Sequence, residues 1–492
     1  MKHFLISVVA GLILAGCGSN SDDNQAPLIR DLFPAGGHAV QTHTTTVRGT
    51  VSDNGSVASV VIRSANDEIT ADLNDSGAFS ARLTLAPGTN NYTVVATDAS
   101  GNQTEVSTTA YFGKRVTGGN SHSAVIADSQ LYTWGRNNFG QTGLGFTSTP
   151  TDANHPLAPK VLSQNPGFIS VTYDQNTSVA MTAGGEVYTW GYNKYGQLGL
   201  GNAGSDVLNE EHQYNPAQVA GITDAIAVTR GYDQTLILHA DGTVSAFGRN
   251  QYGQLGDGTT IDRDVPTKVS GLANIIQIDA GGSFAIAVDA DGRLWSWGQN
   301  SDGQLGLGTL DNDPHSTPTQ VPLDDPIEAV SLGKAHALAL SRSGEVYGWG
   351  LNFSSQVGLY DRDNEDPEWP ADIVSPKKLP WFNDAVAVWA NGNQSFVERR
   401  DGKIYPWGQN MLGTLGLSVD DDVKQPESAV FGLANITDLG NGALHTIALR
   451  QDNQVFSWGW SFHGSLGGGN STIERWSYRV PVMLNLPEPQ AE

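Results

Sequence analysis

Two all-β structures in series, a small β-sandwich followed by a seven-bladed β-propeller, are what this sequence predicts. Three observations carry the prediction. The composition is glycine-rich and weakly charged, with 58 Gly, 39% hydrophobic and 16% charged residues in a chain of 492, which suits a turn-rich β protein better than a helical or disordered one. Short Val/Thr/Ile runs broken by turn residues fill the region from Ala26 to Gly113. An aromatic-Gly pair then recurs seven times at spacings of 56, 57, 50, 52, 58 and 51 residues, a period of propeller blades and not of helical solenoids.

The first element is a targeting segment. Lys2 precedes an apolar run, Phe4 to Leu14, that is too short to span a bilayer permanently, and the run ends in "LAGC", Leu14 to Cys17. This string resembles the lipobox of bacterial lipoproteins, which implies that residues 1–16 are removed and that Cys17 carries the lipid. Cys17 is the single cysteine, so an internal disulfide is impossible and an anchoring role accounts for it. Gly18 in place of Asp makes the outer membrane the expected destination in a host that has one, and residues 17–25 form a polar tether.

Residues 26–113 form the sandwich. "TTVRGTVS" alternates through Val47, Gly49 and Val51, and turns are signalled at Asp53-Asn54-Gly55, Asn74 to Gly77 and Pro87-Gly88. The stretch Gly77 to Asn102 is similar to the second half of bacterial immunoglobulin-like domains, which implies a spacer or adhesive module. The plainest role for it is a stalk, and it contains no catalytic constellation.

Residues 114–486 hold the repeats, with 487–492 as a tail. The aromatics are Trp134, Trp190, Phe247, Trp297, Trp349, Trp407 and Trp458. Asn follows three residues later in six copies, Gln seven residues later in five, and Gly nine residues later in all: Gly143, Gly199, Gly256, Gly306, Gly358, Gly416 and Gly467. Ahead of each aromatic lies a hairpin, with tight turns such as Asp291-Gly292. The glycines permit positive backbone torsions and close approach, the aromatic fills space between neighbouring blades, and Asn and Gln satisfy free backbone groups in the loops. Strings such as "WGYNKYGQLGLG" and "FGRNQYGQLGDG" closely resemble the regulator of chromosome condensation repeat. The resemblance implies a propeller closed by pairing strands from both ends of the repeat region. "RVPVMLNL", Arg479 to Leu486, completes the last copy and is a candidate to pair near the first blade.

Little in the repeats suggests chemistry. A His often stands thirteen residues before the aromatic in this family; here that position holds His336 and His445 among Thr177, Gln234, Phe284 and Gln394, with His122 as the equivalent in the first copy, whose turn is one residue shorter, and the role expected of these residues is structural, hydrogen bonding inside the blade. No G-x-S-x-G elbow on a strand-turn-helix and no phosphate loop appears, so no catalytic residue, metal or cofactor is assigned. With 27 basic against 51 acidic residues and a formal charge of −24, nucleic acid is an unsuitable partner.

The long loops are the candidate partner-binding sites, because length variation on a propeller concentrates on its faces. Copy five carries Asp361, Asp363, Glu365, Asp366, Glu368, Trp369 and Asp372, and copy two carries Glu210, Glu211 and Tyr214. Acid beside an aromatic suits an interface with an anchor and a charged rim. Calcium at Asp361, Asp363 and Glu365 is disfavoured, since the Gly and final Glu of an EF-hand loop are missing.

The reading that results is a monomeric, lipid-anchored envelope protein, not an enzyme, that presents a propeller to a protein or glycan. The alternatives are a propeller-type inhibitor of an exported enzyme such as a β-lactamase, guanine-nucleotide exchange by family label, and an enzyme with its site at the ring axis.

Overall fold

The computed structural model describes residues 24–65, 67–149, 155–202, 212–359, 372–469 and 476–488. Strands dominate these residues, and their one helical element is a single 3-10 turn, Met411–Gly413. Cys17 lies outside them, as do Glu210, Glu211 and the run from Asp361 to Trp369.

Residues 28–112 make two facing sheets. One runs in the order Leu28–Phe33, Thr44–Ser52, Ala78–Thr84, Asp72–Leu73. The other runs His38–Val40, Gln103–Phe112, Gly88–Asp98, Val57–Ser64, Glu68–Thr70, with its first pair parallel. Alternation sends Val47, Phe79 and Leu83 from one sheet and Val60, Ile62, Val94 and Phe112 from the other into a shared core. The turn residues act locally: the Asp53 carboxylate accepts the Gly55 N–H at 2.8 Å, and Asn74 Oδ1 accepts the N–H groups of Ser76 and Ala78, both at 3.0 Å.

From Val116 onward, seven antiparallel sheets follow one another among the described residues, each built from one consecutive stretch of chain. Six have four strands; the sixth has three, with the isolated bridge Gly408–Val423 where a fourth would lie. The fourth sheet shows the plan. Ile275–Ala280, Phe284–Asp289, Leu294–Gly298 and His315–Gln320 pair in sequence order, and Gly292 turns the central hairpin at φ +89°.

The first strands of the sheets are Val116–Gly118, Phe168–Asp174, Ala225–Arg230, Ile275–Ala280, Ile327–Leu332, Ala385–Asn391 and Ile436–Asn441. Each neighbours the next, and the last returns to the first. Asp438 of the last sheet accepts the N–H groups of Arg115 and Val116 at 2.6 and 3.0 Å. The ends of the repeat region therefore meet by packing and hydrogen bonding between complete sheets. Trp476–Leu484, which holds most of "RVPVMLNL", pairs with Val455–Ser461 of its own sheet and not with the first. No exchanged strand is needed, because the first sheet already draws its four strands from residues 116–161.

The two-sheet unit does not stand off as a stalk. It lies against the ends of the ring strands. The buried Glu328 carboxylate accepts the Thr46 N–H and hydroxyl, both at 2.6 Å, and Arg82 Nη1 at 3.3 Å. His38 Nε2 meets the Glu398 carboxylate at 2.7 Å with both side chains buried. The His43 N–H donates to the Ile276 carbonyl, the Tyr111 hydroxyl to that of Ile169, and Arg115 to that of Gly37. Of the ring residues named here, Arg115, Ile169, Ile276 and Glu328 sit at or beside the starts of first strands and Glu398 near the end of a second strand, which is the same end of the antiparallel sheets, so one end of the ring is covered and the other faces away.

Candidate functional site

The repeat residues form an interlock between successive sheets. Trp190, Trp297, Trp349, Trp407 and Trp458 each donate the indole N–H to the backbone carbonyl of Gln141, Gln254, Gln304, Gln356 and Thr414 of the preceding sheet, at 2.9–3.0 Å. Trp134 reaches Ser465 of the last sheet at 2.8 Å, which carries the same contact across the closure. Phe247 has no such donor, so the Gln197 carbonyl keeps only the Thr235 hydroxyl at 3.1 Å, a bond that Ser123, Ser178, Ser395 and Thr446 make beside the indole at other junctions. Beneath each aromatic sits the repeat glycine of the neighbouring sheet. A Cβ on Gly143, Gly199, Gly256, Gly306, Gly358, Gly416 or Gly467 would stand 2.7–3.0 Å from that ring, and all seven have positive φ. Asn side-chain oxygens accept N–H groups five residues on, as Asn250 does from Leu255 at 3.0 Å, and Gln oxygens accept N–H groups two residues back, as Gln254 does from Tyr252 at 2.9 Å.

His336 and His445 belong to the same scaffold. Their Nε2 atoms meet Ser395 and Ser123 at 2.9 and 2.8 Å, so the bond crosses to the adjacent sheet and does not stay inside one. Burial pushes their pKa down to about 3 and about 4, which keeps both rings neutral.

Two candidate loop residues are visible, and both are engaged in this architecture. Asp372 Oδ1 accepts the Asn352 N–H at 3.1 Å, as Asp262 and Asp422 do for Asn250 and Asn410. Tyr214 lies against Gly140, and its carbonyl accepts the Gly145 N–H at 3.0 Å; Asp264, Ser316 and Val374 supply the equivalent carbonyl to the loops before them. These four different side chains serve equally at that position, because the backbone makes the bond. Both residues root the long stretches of copies two and five at the uncovered end of the ring, where third strands finish and fourth strands begin. The remaining loop candidates lie outside the described residues.

At the same end, on the axis, is a polar cavity of about 40 Å³. Its wall comes from the tips of first-strand hairpins. Three residues before the His/Gln position the seven copies read Gly119, Asp174, Gly231, Gly281, Gly333, Asn391 and Gly442. Glycine is required there by crowding: a Cβ on Gly231 would stand 2.1 Å from the Gly281 carbonyl, and one on Gly281 would stand 2.5 Å from that of Gly333. Backbone bonds run between tips, from Tyr232 to Gly282 and Gly282 to Lys334 at 3.0 Å, and from Lys334 to Gly392 at 2.7 Å. Among the described residues no such backbone bond joins the first tip to the second, the second, Asp174 to Asn176, to the third, or the sixth to the seventh.

The pattern also breaks there in side chains. One position earlier the copies read Gly118, Tyr173, Arg230, Ala280, Leu332, Ala390 and Asn441. Arg230 is the one charged residue of that set, only 4% exposed, and none of its three guanidinium nitrogens has a hydrogen-bond partner. Burial pushes its pKa down to about 10, against the attraction of Asp174 and Asp233. Asp174 is half-buried, with its Oδ2 enclosed and unpartnered, and desolvation pushes its carboxyl up to about 7 although Arg230 opposes the shift. Lys114 and Lys334 also line the cavity. Asp279, by contrast, is satisfied: it accepts the Thr229 hydroxyl and the N–H groups of Ala280 and Leu332 at 2.8–3.0 Å.

Composition and repeat spacing did not point to Arg230 or Asp174. The signal lies three residues before the His/Gln position of the repeat, where five glycines are interrupted by Asp and Asn. Among the described residues, no three His, Cys, Asp or Glu side chains gather as a metal site.

Interlocked β-sheets of this kind, with an aromatic-Gly repeat at every junction, define a β-propeller of a repeat family. The RCC1-like domain model matches residues 14–382, and the Regulator of chromosome condensation (RCC1) repeat matches residues 436–465. The chain belongs to the RCC1-like domain family. It is 32% identical over 371 residues to the "Ultraviolet-B receptor UVR8" of Arabidopsis thaliana, covering 72% of this chain and 79% of that protein. It is 28% identical over 396 residues to the "Secretion-regulating guanine nucleotide exchange factor" of Mus musculus, with 74% and 81% covered. Among solved structures, human WBSCR16 superposes with a TM-score of 0.62 at 21% identity, over 73% of this chain and 95% of that one, a likeness of fold alone.

Proposed function

We propose that this protein is a lipid-anchored scaffold of the cell envelope whose seven ring sheets are the blades of a seven-bladed propeller and whose preceding unit is an immunoglobulin-like sandwich. In this reading Cys17 carries the lipid, the outer membrane is the destination, the chain is a monomer, and the partner is a protein or glycan. The observation that carries it is the asymmetry of the ring. The sandwich covers one end through Glu328 and Glu398, so the opposite end is the surface left for recognition, and the roots of both long acidic loops, Tyr214 and Asp372, lie there.

Two experiments test the reading. Labelling with a palmitate analogue should mark the wild-type chain and not Cys17→Ser; equal labelling of both would remove the anchor. Affinity capture from envelope extracts should retrieve a partner or glycan that is lost when residues 361–371 are replaced by a Gly/Ser linker. Capture unaffected by the replacement would move recognition to another surface.

Guanine-nucleotide exchange is the second reading, favoured by the name of the mouse relative. Accelerated nucleotide release from a small GTPase would establish it in place of the scaffold.

A further inference from the structure

A buried guanidinium without a partner is a strongly unfavourable state in an apoprotein, because burial removes its hydration and nothing replaces it. Arg230 is in that state on the axis of the ring. The scaffold does not require it. Ala280 and Ala390 occupy the same position of the repeat, and the strands around them pair in the same way. A cation at a place where the other six copies carry only uncharged residues points to a ligand.

We propose that the axial cavity binds the oxyanion head group of a small molecule, a carboxylate or a phosphoryl group, with the Arg230 guanidinium as its principal donor. The free hydrogen-bonding capacity of the cavity is mostly of the donor kind. Asp279 has its oxygens engaged by Thr229, Ala280 and Leu332, and Asp233 is engaged by Gln197 and Arg249. Arg230 offers N–H groups in a planar fork that matches two oxygens of one acid group. Lys114 and Lys334 add positive charge to the same wall. Asp174 faces Arg230 without reaching it, since Arg230 acts on it electrostatically but no ion pair forms. In its protonated form Asp174 donates to the same oxyanion, and in its ionised form it repels it. A volume of about 40 Å³ admits a compact head group and not the body of a large ligand. The site is independent of any macromolecular partner of the loops, so the two proposals fail separately.

The test uses the full chain. Its thermal midpoint is followed in sodium acetate, sodium succinate and inorganic phosphate, each compared with sodium chloride at matched ionic strength. A saturable rise on the order of 3 °C at ten times the dissociation constant is expected for at least one oxyanion. Acetate and succinate acting without phosphate would assign a carboxylate ligand, and phosphate acting alone would assign a phosphoryl one. Arg230→Ala restores the residue type of the fourth and sixth sheets, and it should fold and lose the rise. An equal rise in Arg230→Ala, or no saturable rise with any of the three salts, would overturn the proposal.

Discussion

Glu328 and Glu398 at one end of the ring and Arg230 and Asp174 at the other differ in how they are partnered. At the covered end the Glu328 carboxylate receives three hydrogen bonds and Glu398 meets His38, so each buried acid has a partner supplied by the sandwich. At the open end Arg230 has none and Asp174 keeps an unpartnered oxygen. Both ends are built from the same strands, whose two termini differ in what covers them. Paired charge at one end holds two modules in register. Unpaired charge at the other leaves hydrogen-bonding capacity for something that is not part of the chain.

The largest expected effect is at the covered end. Glu328→Ala would strip the acceptor from the Thr46 N–H, the Thr46 hydroxyl and Arg82 while leaving them at a closed interface. Removing one member of a buried charge pair costs about 3–5 kcal/mol, and the loss should appear as a lower unfolding midpoint together with faster proteolysis at the junction near Gly113. A variant as stable and as resistant as wild type would mean that the sandwich is held by its apolar contacts alone.

The next effect separates the ends by pH. Asp174 faces Arg230 and Asp233 on the neighbouring hairpin, Lys114 on the entering segment, and the Gln175 N–H of its own turn. Its folded-state carboxyl, at about 7, lies above its unfolded value of 3.8, so its stabilising contribution is full below pH 4 and is lost as pH rises to 7. Asp174→Asn removes that loss. The stability of the variant relative to wild type should climb between pH 4 and 7 and level off above, by on the order of 2–4 kcal/mol. His336 and His445 act in the other direction, since their depressed values make stability fall as pH drops below 6.5, but they are common to both proteins and cancel in the difference. A flat difference across the window would show that Asp174 is solvated or paired.

How far each end could be read from the sequence follows from the period of its signal. The aromatic-Gly junctions, the loop glycines and the Asn and Gln that bond loop backbone recur in most or all copies, so their spacing alone exposes them. The docking of the sandwich was not legible. Glu328 and Glu398 find Thr46 and His38 across separations of 282 and 360 residues, and neither belongs to the repeat. The mode of closure is hidden in the sequence for a related reason: Arg479 to Leu486 has the same pattern as other fourth strands, and the pattern does not say which edge it joins. The acidic loops attracted attention by composition. Yet Asp372 is spent on the Asn352 N–H, a duty shared with Asp262 and Asp422 that becomes apparent only when the loops are superposed. The axial cavity is an intermediate case, written in the sequence as the absence of a glycine and the presence of an arginine, and it becomes a site only once the ring brings those positions to one axis.

The smallest expected effect sharpens the comparison most. Arg230→Ala removes a buried side chain, an act that elsewhere in a core costs several kcal/mol through the cavity left behind. Here the replacement is the residue found in the fourth and sixth sheets, and the lost group makes no hydrogen bond that must be replaced. The gain from removing an unpaired charge opposes the loss of packing. In ligand-free buffer the change in unfolding free energy should stay within about 1 kcal/mol of zero, and it should be stabilising if packing around the guanidinium is loose. A destabilisation as large as that of Glu328→Ala would mean that Arg230 is a structural member of the ring. The contrast between its ends would then disappear, and the axial cavity would lose its claim to be a site.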